Sequence, residues 1–273
     1  MATYVITGVS RGIGYEFLRQ ISKDPNNVVI GIVRDQPTTL KKVSEDADLK
    51  TRSNIHILEA DLTSYDALKK AAAETAKITG GAIDYLIGNA GYVSQFDPYD
   101  PISVLGEKPQ ELEADLHKLI NIHVVANIHL YNLFMPLILK GKTKKVVGIS
   151  SGFADLDITN NFDLDLSALY SISKAAMNMV TAKFSAEYKK QGVLFLSICP
   201  GMVEVGHWNN STPEQLQSLG GNLVKFAEYA PNFKGPDTPE ASTQAVISVW
   251  EKASLENGDG GAFLSHFGNK QWL

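Results

Sequence analysis

A chain of 273 residues, 44% hydrophobic and 20% charged, has the make-up of a globular protein with a sizeable core, far from the disordered class. Its 25 basic and 30 acidic residues leave a net charge of -5, which excludes the concentrated basic face of a nucleic-acid binder. With no apolar run near the roughly 18 residues of a membrane span, no secretory leader pattern and a lone Cys199, a cytoplasmic protein with no membrane and no nucleic-acid partner is expected.

Short β-branched runs at 3–7, 28–33, 55–59, 83–88, 145–150 and 193–198 are nearly all apolar, as strands buried on both faces are. Helical periodicity fills the gaps at 11–23, 39–46, 64–79, 110–139 and 170–191. A shorter helix is predicted near 213–229, and a last strand and turn within 261–268. The alternation implies right-handed crossovers and a Rossmann-like α/β fold, a doubly wound parallel sheet of about seven strands with helices on both faces. Such a sheet uses all of 1–273 as a single domain. The stretches 89–108, 152–169 and 201–238 break the alternation and are predicted to be substrate loops at the carboxyl edge of the sheet.

The first run leads directly into Thr7-Gly8-Val9-Ser10-Arg11-Gly12-Ile13-Gly14, and a predicted helix follows. Glycines let the backbone turn tightly and approach a pyrophosphate, while the helix start aims free amides and a positive dipole at it. A plain turn would also use glycine, but the strand–turn–helix context favours a dinucleotide cradle. Further along, Tyr170 and Lys174 stand four residues apart on one helix face, which lets an ammonium approach a phenol. A nearby cation favours the phenolate and brings the phenol toward useful acid–base chemistry. Ser151, at the end of the fifth run, is a neutral donor that can orient a carbonyl without competing for its proton.

The spacing Gly-x3-Gly-x-Gly, followed by Asp61, Asn89-Ala90-Gly91, Ser151, Tyr170-x3-Lys174 and Pro200-Gly201, resembles the short-chain dehydrogenase/reductase family over nearly the whole chain. The resemblance implies that Tyr170 donates a proton to a carbonyl oxygen as hydride arrives from a nicotinamide. It assigns Lys174 to tune the phenol and hold the cofactor ribose, and Ser151, rather than Ser150, to bind the carbonyl. Cofactor-binding positions implied are Gly8, Ser10, Arg11, Gly12, Ile13, Gly14, Arg34, Asp61, Leu62, Asn89, Ala90, Gly91, Tyr170, Lys174, Pro200, Gly201 and Val203. Asp61 reads either as an adenine-edge residue or as a helix cap.

Charge argues for the form of the cofactor. Val33 occupies the slot of an NAD-selecting acid, Asp35 lies two places beyond it, and Arg34 and Arg11 can meet a 2′-phosphate, so NADP(H) is expected. Two departures from the family pattern stand out. Val205 has no hydroxyl where Thr or Ser is usual. The family's helix Asn is matched either by Asn121, from the local Asn-Ile pattern, or by His123, counting back from Pro136; a His there could hold a water or relay a proton. Cys199 ends an apolar run and reads as an inert thiol, no metal-ligand spacing joins the six histidines, and His207-Trp208 is expected to line the pocket.

Tyr170-Ser171-Ile172-Ser173-Lys174, the long gap from Ser151 and the Gln271-Trp272-Leu273 end look like fungal ketoreductases and cell–cell-signal-like carbonyl reductases. The expectation is NADPH-dependent reduction of a ketone or aldehyde, with a small-molecule carbonyl substrate and a role in fungal secondary metabolism. A homodimer or homotetramer through helices 110–139 and 170–191 is what the resemblance implies. His123 and Val205 motivate a second reading, an NADP-binding protein with a non-redox or partner-binding role.

Overall fold

The strands β1 (Thr3–Thr7), β2 (Val28–Val33), β3 (Ile55–Glu59), β4 (Tyr85–Gly88), β5 (Lys145–Ile149), β6 (Leu194–Cys199) and β7 (Phe263–Ser265) form one parallel sheet in the order β3-β2-β1-β4-β5-β6-β7. The computed structural model describes residues 2–206 and 212–273. The apolar runs become central strands because both of their faces are covered: Val5, Ile30, Leu86, Val146 and Leu196 are fully buried.

Ten helices lie among the described residues: α1 (Gly12–Ile21), α2 (Gln36–Glu45), α3 (Tyr65–Thr79), α4 (Ile102–Leu105), α5 (Pro109–Ile120), α6 (Ala126–Ile138), α7 (Leu156–Asn161), α8 (Ala168–Tyr188), α9 (Pro213–Tyr229) and α10 (Pro239–Lys252). On one face Phe17 of α1 and Trp250 of α10 pack ring on ring at 5.1 Å over Ile6, Ile87 and Val147. On the other, Leu68 of α3, Tyr131 and Phe134 of α6 and Phe184 of α8 cover Val5, Ile30, Leu86 and Phe195. Full burial of each such side chain is worth roughly 1.5–3 kcal/mol, so these two layers carry the fold. None of the described helices is long and apolar enough to cross a membrane.

Several element boundaries differ from those read in the sequence. The segment 239–252 is a helix that sequence periodicity left unassigned. Its interior Ser, Thr, Val and Ile are mediocre helix formers, but a parallel β7 needs a crossover, and Thr238 caps the helix start. The expected loops also contain short helices, α4 within 89–108 and α7 within 152–169. Helix α2 starts three residues early because Asp35 caps it. The long helix predicted at 110–139 is α5 and α6 joined by a π turn, Asn121–Val125. The sheet order reverses between β1 and β4, and this switch point opens a crevice at their carboxyl ends.

Candidate active site

The crevice floor is a hydrogen-bonded knot. The buried Thr7 hydroxyl accepts from Asn89 N at 3.1 Å and Ala90 N at 3.0 Å, and the Asn89 amide donates back to Thr7 O at 2.9 Å. Helix α1 packs so tightly on this loop that a Cβ on Gly14 would overlap Gly8 O and the Asn89 amide nitrogen. Arg11 precedes α1 without a side-chain cap, which leaves the amides of the first turn free to face an anion. The glycine-lined cradle and open helix start fit a pyrophosphate.

Around this cradle Arg11 and Arg34 are exposed, and a third cation joins them. Lys42 donates from Nζ to Ser10 O at 3.1 Å, with Nζ 3.9 Å from the centre of the Tyr15 ring. Nothing local in the sequence links Lys42 to the loop 32 residues before it. Asp35 is turned away to accept from Thr38 N at 3.0 Å. Asp61 accepts from Thr63 N and Oγ1, which together with Arg34 hold its carboxyl below the usual range; the cap of α3 is Ser64, not Asp61. Leu62 packs against the sheet core. On the opposite wall Pro200 O accepts from Ser242 Oγ at 2.7 Å, Val203 pairs with Asp237, and Val205 stands near Gly12. Ile13 lines the pocket beyond.

Ser151 and Tyr170 are brought together from the end of β5 and the first turn of α8 onto the wall of one cavity, with Ser151 close enough to favour the ionised phenol. Lys174, one turn on, is buried; its Nζ donates to Ile149 O at 2.8 Å and lies 5.7 Å from the centre of the Tyr170 ring. Burial brings this ammonium down to about 8. The phenol moves the other way, raised by burial first and by Cys199 and Asp97 next, against the lowering effect of Ser151. The sequence leads one to expect Lys174 to acidify Tyr170; in this structure its Nζ is bonded to Ile149 O and the phenol stays above its ordinary range through burial. A phenol that stays protonated is suited to giving a proton. Cys199 is enclosed, its Sγ accepting from Gly152 N and Gly201 N, and burial pushes it up to about 11, so it is no nucleophile. Ser150 is buried, and its Oγ has no partner among the described residues.

Asn121 and His123, between which the sequence leaves a choice, have different surroundings. Asn121 is exposed, whereas His123 is fully buried and stands edge-on to Tyr170 with ring centres 5.7 Å apart. His123 Nε2 accepts from Tyr92 N at 3.0 Å, and Nδ1 lies 2.9 Å from Ser173 Oγ. Since the Ser173 hydroxyl already donates to Tyr170 O at 2.7 Å, the imidazole proton sits on Nδ1. Burial, reinforced by Lys174, drops His123 to about 2, so the ring is neutral. A His here is expected from the sequence to hold a water or relay a proton; in this structure its two ring nitrogens meet Tyr92 N and Ser173 Oγ. It is a strut that ties the loop at Tyr92 to α8, placed at a π turn of the kind that marks functional sites.

Ser151 and Tyr170 face a cavity of about 220 Å³ whose walls are mostly apolar. All three expected loops contribute, through Val93, Tyr99, Phe153, Leu166, Met202 and Phe226. Trp272 completes the wall from the chain end. It stacks on Phe263 at 4.3 Å, and its backbone N–H donates to the Tyr229 hydroxyl at 2.8 Å. Only a glycine at 152 permits this, because a Cβ there would come within 2.7 Å of Trp272 Cβ. Sequence reasoning missed Lys42, Asp97 and Ser173 altogether, and Trp272 as a pocket residue; each acts across distances that spacing does not report. The expected pocket residues His207 and Trp208 lie outside the described residues.

A family model described as short chain dehydrogenase matches residues 2–216. The chain is 59% identical over 273 residues to the short chain dehydrogenase virK of Hypocrea virens and 55% identical over 274 residues to the short-chain dehydrogenase/reductase iacC of Pestalotiopsis fici, with 100% of each protein covered. In fold it is similar to an NADPH-bound carbonyl reductase from chicken fatty liver, at 22% identity and a TM-score of 0.76 over 98% of both chains. It is also similar to the RhlG/NADP active-site complex of Pseudomonas aeruginosa, at 17% identity and a TM-score of 0.72, covering 99% of this chain and 96% of that one. The match across the glycine loop, the Ser151–Tyr170–Lys174 group and the parallel sheet, with relatives alike from end to end, makes this chain a member of the short-chain dehydrogenase/reductase family of oxidoreductases.

Proposed function

We propose that the protein reduces the carbonyl of an apolar, ring-bearing ketone or aldehyde with NADPH. The observation that carries this reading is the Ser151–Tyr170 pair facing one aromatic-walled cavity beside a cradle suited to a dinucleotide. When bound, the reduced nicotinamide supplies hydride to the carbonyl carbon. Ser151 holds the carbonyl oxygen, and Tyr170 transfers its phenolic proton to that oxygen as negative charge develops. Lys174, charged below about pH 8, binds the ribose side and stabilises the phenolate left behind. The free amides of α1 take the pyrophosphate, and Arg11, Arg34 and Lys42 surround the place for a 2′-phosphate.

The NADPH-bound carbonyl reductase and the NADP complex among the structural neighbours support this choice of nucleotide. A role in fungal secondary metabolism is part of the proposal, and the relatives alike from end to end come from Hypocrea virens and Pestalotiopsis fici. A homodimer or homotetramer through α5, α6 and α8 is part of the proposal, and α8 leaves Ile172 and Met179 exposed for it.

The direct test follows NADPH oxidation with one- and two-ring ketones against short-chain aldehydes. Turnover of ring ketones is expected. NADPH that binds but is oxidised by no carbonyl favours the non-redox reading, for which Val205 and His123 are the motive. Replacing Arg11 with Ala and Arg34 with Asp together is expected to raise the KM for NADPH about tenfold or more without raising that for NADH. An equal change for both nucleotides would separate these arginines from the phosphate. Trp272→Ala is expected to shift kcat/KM toward two-ring over one-ring ketones by about tenfold, since wall volume sets that ratio. An unchanged ratio removes Trp272 from substrate choice.

A further inference from the structure

Helix α8 begins in an unusual way. Ser167, the residue before it, is in the left-handed region at φ 53 and gives no side-chain cap. The first amides of a helix have no partner within it, and a local cap residue would normally take those of its second and third positions. In α8 these are Leu169 and Tyr170, and the second of them donates to a carboxylate from elsewhere. Asp97, 73 residues earlier in the chain, accepts from Tyr170 N at 2.9 Å. Its backbone carbonyl accepts from Ser167 N at 3.1 Å.

Asp97 is itself held in place. It is 1% exposed, and the Ser94 hydroxyl accepts from Phe96 N at 2.9 Å and from Asp97 N at 3.3 Å. The Ser167 hydroxyl reaches Pro98 O at 3.4 Å. Burying a carboxylate is costly unless it is well bonded, and Asp115 nearby adds repulsion. Its placement at a helix N-terminus offsets part of that cost through the free amides and the helix dipole, though burial still holds its carboxyl above the usual range. The residue so anchored is the one whose phenol must meet Ser151, and Asp97 also lines the substrate cavity.

We propose that Asp97 is a positioning residue, a remote cap that sets the start of α8 and so holds the Tyr170 phenol against Ser151 and the substrate. This rests on the reading of Tyr170 as proton donor. A displacement of about 1 Å at a reacting group is enough to cost up to about a hundredfold in rate.

The test compares Asp97→Ala and Asp97→Asn in the native background and in Tyr170→Phe. In the native background Asp97→Ala is expected to lower kcat about tenfold or more with little change in KM, and Asp97→Asn, whose amide oxygen can still accept, to recover most of the loss. In Tyr170→Phe the same Asp97→Ala change is expected to cost less than about twofold, because a residue that acts through the phenol has nothing left to position. An equal loss in both backgrounds, or native kcat in Asp97→Ala, overturns the inference while leaving the Tyr170 reading intact. Native turnover in Tyr170→Phe alone overturns that reading. Hydrogen exchange over 167–174 decides the matter without turnover: faster exchange in Asp97→Ala and not in Asp97→Asn supports the remote cap, and unchanged exchange refutes it. If Asp97→Ala does not fold, Asp97→Ser, whose shorter side chain falls short of the amides, takes its place in each comparison.

Discussion

Replacing Tyr170 with phenylalanine is expected to slow NADPH-driven carbonyl reduction by at least about a hundredfold. The change removes one hydroxyl and keeps the ring that stands edge-on to His123, so packing is preserved and the proton is lost. Because burial keeps the phenol protonated, pH dependence should come from its neighbour. Lys174 is lowered to about 8, and its charged form is lost as pH rises through that value. The kcat/KM for reduction, which reports groups of the free enzyme, should therefore be level below pH 8 and fall above it. Tyr170→Phe turning over at the native rate would eliminate the assigned donor, and a kcat/KM that climbs above pH 8 would eliminate the role given to the ammonium.

Gly14→Ala should be nearly as damaging, for a different reason. The new methyl would occupy the space of Gly8 O and of the Asn89 amide that donates to Thr7 O. The first neighbour is backbone and the second is a side-chain end tied to Thr7 O, so the glycine loop must move off the end of β4. Overpacking of this kind costs about 1–3 kcal/mol of stability, and the displaced amides no longer meet a pyrophosphate. A drop in thermal midpoint is expected, together with an NADPH Kd raised about a hundredfold, equal to roughly 2.7 kcal/mol. The same change at Gly220 in α9, where no atom lies within 4 Å of the added carbon, should leave NADPH affinity alone. Native affinity in Gly14→Ala would mean that the loop does not cradle the nucleotide.

Features of this protein were legible in proportion to how local their causes are. Strand runs such as Val28–Val33 announce themselves because burial on both faces demands apolar residues at every position. The glycine loop and the Tyr170–Lys174 pair are likewise set by neighbours in the chain. Helix α10 was missed because a crossover, not propensity, makes it helical. The π turn at Asn121–Val125 could not be seen either, since its key residue is fixed by Tyr92 and Ser173 from other segments. Asp97 shows the limit best. In sequence it is one acid in a Pro- and Tyr-rich loop, and only the fold makes it the cap of a helix 73 residues away.

The doubly engaged ring of His123 ties two segments together without bringing a charge beside Lys174. Shortening it would loosen the stretch at Tyr92 from α8 and leave the local field almost as it was.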